Sequence, residues 1–180
     1  MNEMARGDWI QTAYGRQFWP IDPHPDEVSM DDIAHALSML CRFGGHCKRF
    51  YSVAEHCVLM SRHIAYEYKL WALLHDASEA YLVDVPRPIK PLLNGYLEAE
   101  SKIMAAVCDK FGMPKEMPDA VKRADKAILN DEMLQNMAPP PVQWSTHGDP
   151  LGVTLQFWSP EQAEHEFLRA YAAICREVAK

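Results

Sequence analysis

An adjacent histidine and aspartate, His75 and Asp76, stand inside an apolar stretch of the sequence. Their neighbours include Leu74 and Ala77, and the pattern predicts that this stretch is helical and largely buried. Burying an imidazole or a carboxylate in apolar surroundings costs free energy unless a partner compensates it. A divalent metal ion would compensate both groups, so this pair is the first candidate for chemistry in the chain.

Two further residues of suitable type, His56 and Asp125, fall on the helices predicted before and after this pair. Four imidazole and carboxylate ligands would leave coordination positions open for water and substrate, which is typical of catalytic metal sites. Each residue also has a simpler interpretation. His56 could be a hydrogen-bonded core histidine. Asp125 could pair with a neighbouring cation, Arg123 or Lys126.

Length and composition predict an ordinary globular chain. Its 180 residues, 48% of them hydrophobic and 24% charged, are enough for one domain with a core. A formal net charge of −7 argues against binding of nucleic acid or membranes through a basic surface. No apolar run approaches the roughly 20 residues needed to cross a bilayer, and the first residues do not resemble a secretory signal. We therefore expect a cytoplasmic protein with neither kind of partner.

The cysteines, five in number and without a CxxC spacing, predict reduced thiols. A structural zinc site is the alternative for four residues, Cys41, His46, Cys47 and Cys57. Their spacing fits none of the common zinc templates, which favours the reduced thiols.

Hydrophobic periodicity and capping residues predict a mainly α-helical fold in a single domain spanning 1–180. An irregular segment at 1–28 precedes a helical core at 29–137, and a last helix, capped by Ser159, spans 159–180. Residues 153–157 alternate like a short strand that could pair with the N-terminal segment.

Within the core, local signals predict where the helices begin and end. Ser29 is a candidate N-cap for the first helix, and Ser52 with Glu55 forms a candidate capping box for the second. Later helices are predicted at about 69–83, 92–111 and 119–137. Gly112 is the expected C-terminal cap of the fourth.

Three segments carry a resemblance to a known superfamily: CRFGGHCKRFYSVAEH, LLHDASEAYLVDVPRPIK and VKRADKAI. They resemble the HD-domain phosphohydrolases, in particular the small bacterial and phage enzymes that hydrolyse deoxynucleotides, over about residues 29–130. The resemblance implies an HD-domain helical bundle and a divalent metal cofactor, Zn²⁺, Co²⁺, Mn²⁺ or Mg²⁺. The implied metal ligands are His56, His75, Asp76 and Asp125.

The resemblance also implies roles for residues around the metal. Glu79 would orient or activate the attacking water, and Asp84 would be a second acidic residue near water or ribose. The implied substrate-binding residues are Arg42 and Lys90 for phosphate, Phe43 for base or sugar, and His46 for the pocket wall. Simpler interpretations exist here too: Arg42 could cap its own helix, Lys90 could face solvent, and Glu79 could pair with an exposed lysine.

The implied activity is hydrolysis at phosphorus of a deoxynucleotide substrate. A 5′-nucleotidase would release a nucleoside, whereas a triphosphohydrolase, notably on dATP, would release tripolyphosphate. The triphosphohydrolase would need more cations for the β and γ phosphates, and the candidates are Lys48, Arg49, Arg87 and Lys90. The alternatives are a non-catalytic nucleotide-binding HD module and a cyclic-nucleotide phosphodiesterase, which usually has more metal ligands. Related enzymes form oligomers, so the resemblance also implies a homo-oligomer.

Overall fold

The computed structural model describes residues 6–142, 144 and 148–178, and it has a mainly α-helical fold, as predicted. The helices of the described part are α1 (Met30–Met39), α2 (Val53–Arg62), α3 (Lys69–Leu74), α4 (Glu79–Leu82), α5 (Tyr96–Phe111), α6 (Asp119–Asn136) and α7 (Pro160–Val178). A single domain over the whole chain stays a prediction, and the ends of its range, 1–5 and 179–180, lie outside the described residues.

The small sheet is an antiparallel pair within the N-terminal segment. β1 (Ile10–Gln11) pairs with β2 (Gln17–Phe18). Residues 153–157 form no strand, so the predicted pairing between the N-terminal segment and this part of the chain is wrong. The side chain of Gln135 holds that segment instead. The amide nitrogen of Gln135 donates to Val153 O at 2.9 Å, and its amide oxygen accepts from Leu155 N at 3.0 Å.

The core forms where α1, α2, α3 and α7 pack against one another. Its largest fully buried hydrophobic side chains are Tyr51, Phe18, Phe167, Ile33, Leu37, Met60, Leu73, Leu74, Ile103 and Ile128. Each such side chain contributes about 1.5–3 kcal/mol when it leaves water. Since α2 and α3 lie inside this core, polar residues on their inner faces are held in fixed positions.

The start of α2 agrees with the prediction only in part. Ser52 caps the helix, because its Oγ accepts from Glu55 N at 3.0 Å. The Glu55 side chain does not return to Ser52 as a capping box would require. Its carboxylate accepts from three backbone N–H groups of the segment before α7, at Gln156, Phe157 and Trp158. The box prediction is therefore wrong in its second half.

The helix predicted at 69–83 is two helices joined by a tight turn. α3 ends at Leu74 and α4 starts at Glu79. Between them, Ala77 N donates to Leu74 O and Glu79 N donates to Asp76 O, so the bonds span three residues rather than four. The tighter winding places His75 and Asp76 in the turn, where a regular helix would have continued.

The other helix ends follow local backbone signals. α5 begins after Gly95, whose φ of 82° is left-handed, and therefore starts later than residue 92. It ends at Gly112, with φ 65°, as predicted. Ser159 caps α7 through a 3.3 Å bond from Gln162 N, whereas the side chain of Ser29 makes no cap bond to α1. Among the described helices, none is long and apolar enough to span a membrane.

Candidate metal centre

Three separate elements bring four side chains close together. His56 lies on α2, His75 and Asp76 lie in the turn after α3, and Asp125 lies on α6. The two Nε2 atoms are 3.2 Å apart. Oδ1 of Asp125 is 3.4 Å from His56 Nε2, and Oδ2 of Asp76 is 3.2 Å from His75 Nε2. We call these four residues the donor group.

The spacing within the donor group suits a metal ion. Two atoms bound about 2.1 Å from one ion are about 3.0 Å apart at a right angle and about 3.4 Å apart at a tetrahedral angle. The distances between its histidine nitrogens and carboxylate oxygens run from 3.2 to 3.8 Å. Donor atoms of His56, His75 and Asp125 all lie within 4.8 Å of one another and fit a divalent cation, with Asp76 next to His75. Imidazole with carboxylate is a suitable set for such an ion.

Hydrogen bonds on the outer side of each ring explain why the Nε2 atoms face inward. His56 Nδ1 lies 2.6 Å from Oε1 of Glu132, and His75 Nδ1 lies 2.8 Å from the carbonyl oxygen of Ala72. Both partners accept, so each Nδ1 carries the proton. The two Nε2 lone pairs then point at each other, an arrangement that requires a cation or a proton between them.

Charge in the donor group is arranged to attract that cation. Burial opposes ionisation of Asp76 and Asp125, yet the two histidines overcome it and hold both carboxyl pKa values below their usual range. Burial likewise disfavours protonated His75, but Asp76 raises its pKa well above the ordinary value. A metal ion would displace these protons and take over their role as positive charge.

Arg42 is buried next to the donor group. Its Nη2 lies 3.1 Å from Oε2 of Glu132, and its Nη1 lies 3.7 Å from Oδ2 of Asp76. Burial alone would lower the pKa of Arg42, but Glu132 and Asp76 raise it well above its ordinary value, so the guanidinium is always charged. Arg42 follows the end of α1 and pairs with α6, so it does not cap its own helix.

The loop after Arg42 forms one wall of a cavity of about 360 Å³. Phe43 and Gly44 both have left-handed backbones, with φ values of 57° and 58°. That conformation is costly for a phenylalanine and is typical of strained functional segments. The lining residues of this loop-side cavity are Arg42, Phe43, Gly44, His46, Asp84, Pro86 and Arg87.

A second cavity, of about 310 Å³, has two residues of the donor group, His75 and Asp76, in its lining. We call it the helix-side cavity; it is lined by His75, Asp76, Ser78, Glu79, Lys90, Leu97, Glu100, Ser101, Met104 and Met117. Lys90 Nζ lies 2.8 Å from Oε1 of Glu100 and 3.8 Å from Oε1 of Glu79. Lys90 is therefore half-buried among carboxylates rather than a solvent-facing charge.

Glu79 is buried, with one oxygen, Oε2, that has no hydrogen-bond partner among the described residues. Burial and the nearby charges of Asp76 and Asp84 raise the pKa of Glu79 to about 9. Within the part of the chain that the structure describes, the lysine that Glu79 pairs with is the half-buried Lys90, and not an exposed one.

Two uncharacterized bacterial proteins are similar in sequence to this chain. The chain is 44% identical over 124 residues to the uncharacterized protein YfdR of Escherichia coli (strain K12), covering 69% of this chain and 70% of YfdR. The chain belongs to the YfdR family. An uncharacterized protein of Rhodobacter capsulatus is 37% identical over 129 residues, covering 66% of each chain. No family model matches the sequence.

In this YfdR-family chain, the predicted site residues separate into two groups. Arg42, Phe43, His46 and Asp84 share the loop-side cavity, whereas Glu79 and Lys90 share the helix-side cavity with His75 and Asp76. Asp84 and Glu79 thus line different members of this pair of cavities. Asp125 is 3.4 Å from His56 and forms no ion pair with Arg123 or Lys126 within the described residues.

Two residues near the site, Glu132 and Trp144, were not predicted from the sequence. Glu132 binds both His56 and Arg42, and Trp144 lies with its ring centroid 6.0 Å from that of Phe43. A spacing signal existed for Glu132, because it follows Asp125 by seven residues, two helical turns on the same face of α6. Trp144 lies in a loop, where no periodicity indicates its position.

The alternative zinc site is not assembled in the described part of the YfdR-family chain. Cys41 and Cys47 approach each other, with Sγ atoms 3.6 Å apart. Cys57 points elsewhere, with Sγ 3.8 Å from His75 Nδ1. Burial raises the pKa of Cys57 to about 11, so it stays a thiol in the metal-free protein. Its Sγ nevertheless lies with donor atoms of His75 and Asp76 in a second group that could hold a metal ion.

Proposed function

We propose that this protein is a metal-dependent phosphohydrolase acting on deoxynucleotides. One observation carries the proposal: two inward-facing Nε2 atoms lie 3.2 Å apart, and each has an ionised carboxylate within 3.4 Å, beside the charged Arg42. A bound divalent ion would lower the pKa of a coordinated water and polarise a phosphoryl oxygen. The rest of the chemistry would fall to side chains of the two cavities.

Phosphate would be held at the loop-side cavity. Arg42 keeps its positive charge while buried, and Arg87 adds a second cation to the same lining. A guanidinium can bind two phosphoryl oxygens at once, which favours a phosphate over a neutral group. The ring of Phe43, with Trp144 beyond it, offers an apolar surface for a base or sugar.

Proton transfer would fall to Glu79. The oxygen of water forms a new bond to phosphorus, the bond from phosphorus to the leaving oxygen breaks, and the proton of that water must go to an acceptor. With a pKa of about 9 in the metal-free protein, Glu79 carries a proton at neutral pH. A bound divalent ion and Lys90 would favour its ionised form, and that carboxylate, with Oε2 unbonded among the described residues, would then accept the proton. Lys90, 3.8 Å away, would keep the carboxylate charge balanced after the substrate leaves.

The supply of cations favours a monophosphate substrate over a triphosphate. Among the cations suggested for the β and γ phosphates, Arg49 stacks 3.9 Å above the ring of Phe157, and Lys90 is paired with Glu100. Each additional phosphate would bring negative charge next to Asp84 with few cations to balance it. Hydrolysis of dATP to tripolyphosphate remains the competing outcome of the assay.

A homo-oligomer and a cytoplasmic location are part of the proposal. Exposed aliphatic side chains follow one another at Ile89, Leu92, Leu93 and Leu97, which is a suitable surface for a second copy of the chain. Light scattering of the purified protein tests this part, and a mass equal to one chain at all concentrations would refute it.

The assay uses metal-stripped protein and panels of dNMPs and dNTPs, each with Zn²⁺, Co²⁺, Mn²⁺ or Mg²⁺. Orthophosphate released from dNMPs is the expected product, while tripolyphosphate from dATP would select the triphosphohydrolase. Asp125→Asn should reduce activity about a thousandfold, equivalent to about 4 kcal/mol of activation free energy. Its matched control is Asp119→Asn, an exposed position on the same helix, which should keep full activity.

Two outcomes would refute the proposal. The first is absence of turnover with every metal, and nucleotide binding in that case would indicate the non-catalytic module. The second is turnover by Asp125→Asn equal to that of Asp119→Asn.

A further inference from the structure

Two thiols flank the loop that lines the loop-side cavity. Sγ of Cys41 and Sγ of Cys47 are 3.6 Å apart, and both residues are half-buried free cysteines. A disulfide has a sulfur–sulfur bond of about 2.05 Å, so the two atoms need to approach by only about 1.6 Å. Between them in the sequence lie Arg42, Phe43 and His46, which are the residues proposed to contact the substrate.

We propose that Cys41 and Cys47 are a modification site, at which a reversible disulfide narrows the loop-side cavity and weakens nucleotide binding. The regulatory part rests on the proposed function, whereas formation of the disulfide does not.

The fold itself brings the two thiols together. Next to Cys41, Arg42 N donates to Tyr51 O at 2.9 Å, and Cys41 forms a β-bridge with Ser52. Next to Cys47, Lys48 N donates to the carbonyl oxygen of Asn136, on α6, at 2.8 Å. The residue after each cysteine is therefore hydrogen-bonded to backbone outside the loop. These bonds hold the two thiols close together.

The loop between the thiols has little freedom to absorb a change at its ends. Phe43, Gly44 and Gly45 have successive positive φ values of 57°, 58° and 81°, and His46 N donates to Phe43 O at 3.0 Å. Cys47 Sγ already lies 3.9 Å from the Arg42 carbonyl oxygen. Closing the disulfide would draw His46 toward that carbonyl, and with it one wall of the cavity toward Phe43.

The oxidant required is a peroxide. Hydrogen peroxide accepts one electron from each sulfur, its O–O bond breaks, and the two thiol hydrogens leave in two molecules of water as the S–S bond forms. Burial, followed by the hydrogen bond to Cys41, raises the pKa of Cys47, so Cys47 is mainly in the thiol form at neutral pH. Oxidation is therefore expected to be slow and to need sustained peroxide.

The experiment uses full-length Cys175→Ser protein as the reference, because Cys175 is exposed and could link two chains. Reference, Cys41→Ser and Cys47→Ser proteins are treated with hydrogen peroxide and then examined by intact mass and peptide mapping. A cooperative thermal unfolding transition before treatment shows that a variant is folded. If a serine variant gives no such transition, Cys47→Ala, which also removes one thiol of the pair, is used in its place.

The expected result is loss of two hydrogens from the reference protein, a mapped link between Cys41 and Cys47, and full reversal by dithiothreitol. KM for the nucleotide should rise about fivefold in the oxidised reference protein, and in neither serine variant. Binding of Co²⁺ to the donor group, followed by its absorption spectrum, should not change.

Each failure has a distinct meaning. If peroxide gives only higher oxides or no link between Cys41 and Cys47, the modification site is refuted even when the protein hydrolyses nucleotides. If the link forms and KM is unchanged, the regulatory role is refuted. If the link forms in a protein that hydrolyses nothing, the proposed function fails while the thiol pair is established.

Discussion

Two buried glutamates, Glu132 and Glu55, meet opposite surroundings although neither is exposed to solvent. Glu132, on α6, is bound by the imidazole of His56 and the guanidinium of Arg42. Glu55, on α2, is bound by three backbone N–H groups of the segment before α7. Burial raises the pKa of both carboxyls. Positive side chains reverse that effect at Glu132, whereas backbone dipoles do not fully reverse it at Glu55.

The difference distinguishes a carboxylate that balances charge beside the donor group, Glu132, from one that holds irregular backbone in position, Glu55. Full positive charges next to Glu132 keep it ionised, and it orients a ligand of the proposed metal through His56. Partial charges next to Glu55 are enough to fix a length of irregular chain in place of a strand. The following predictions test this contrast.

The largest effect is expected from Glu132→Gln. Loss of the negative charge removes the closer of the two carboxylates beside the buried Arg42, which should cost about 3 kcal/mol of unfolding free energy. Affinity for Co²⁺ should also fall about 10–100-fold, because His56 loses the acceptor that orients its ring. Urea unfolding and metal titration measure the two effects. Glu98→Gln, at an exposed position on α5, is the control, and equal behaviour of the two variants would contradict the assignment.

Glu55→Gln should be less severe and different in kind. The amide oxygen can still accept from Gln156 and Phe157, but the amide nitrogen cannot accept from Trp158 N, so one buried donor loses its partner. We expect about 1–3 kcal/mol of lost stability and unchanged affinity for Co²⁺. A large fall in metal affinity would show that Glu55 also supports the donor group and would remove the contrast with Glu132.

Gln135→Ala tests the second anchor of the same segment. Its amide makes two hydrogen bonds, to Val153 and Leu155, and both are partly exposed to solvent. Its loss should cost about 1 kcal/mol of unfolding free energy, with metal binding unchanged. Hydrogen exchange of the Leu155 amide should speed up in this variant; an unchanged rate would show that the bond contributes nothing to local order.

The smallest effect is a dependence on pH, measured on metal-free protein. The pKa of Glu55 is raised by folding, so its stabilising contribution is fully present below its ordinary value of 4.5 and is lost as pH rises through the folded value. The difference in unfolding free energy between the native protein and Glu55→Gln should therefore be largest at low pH. A difference that grows as pH rises would mean that the backbone donors outweigh burial.

Local sequence is sufficient for most of the helices and for the types of donor. The glycine at 112, the serines at 52 and 159 and the periodic apolar residues act within one turn of chain, so their effects are visible without any tertiary contact. The adjacent His75 and Asp76 indicate metal chemistry for the same reason, since their cost of burial depends only on their apolar neighbours.

Tertiary structure decided the parts that depend on residues far apart in the chain. The winding of the turn at His75, the partner of His56 on α6 and the separation of Glu79 from Asp84 into different cavities come from packing of helices against each other. Val153 to Phe157 alternate like a strand, but the hydrogen bonds that satisfy that backbone come from side chains on α2 and α6. A buried backbone group needs a partner, and only the fold determines whether a strand or a side chain supplies it.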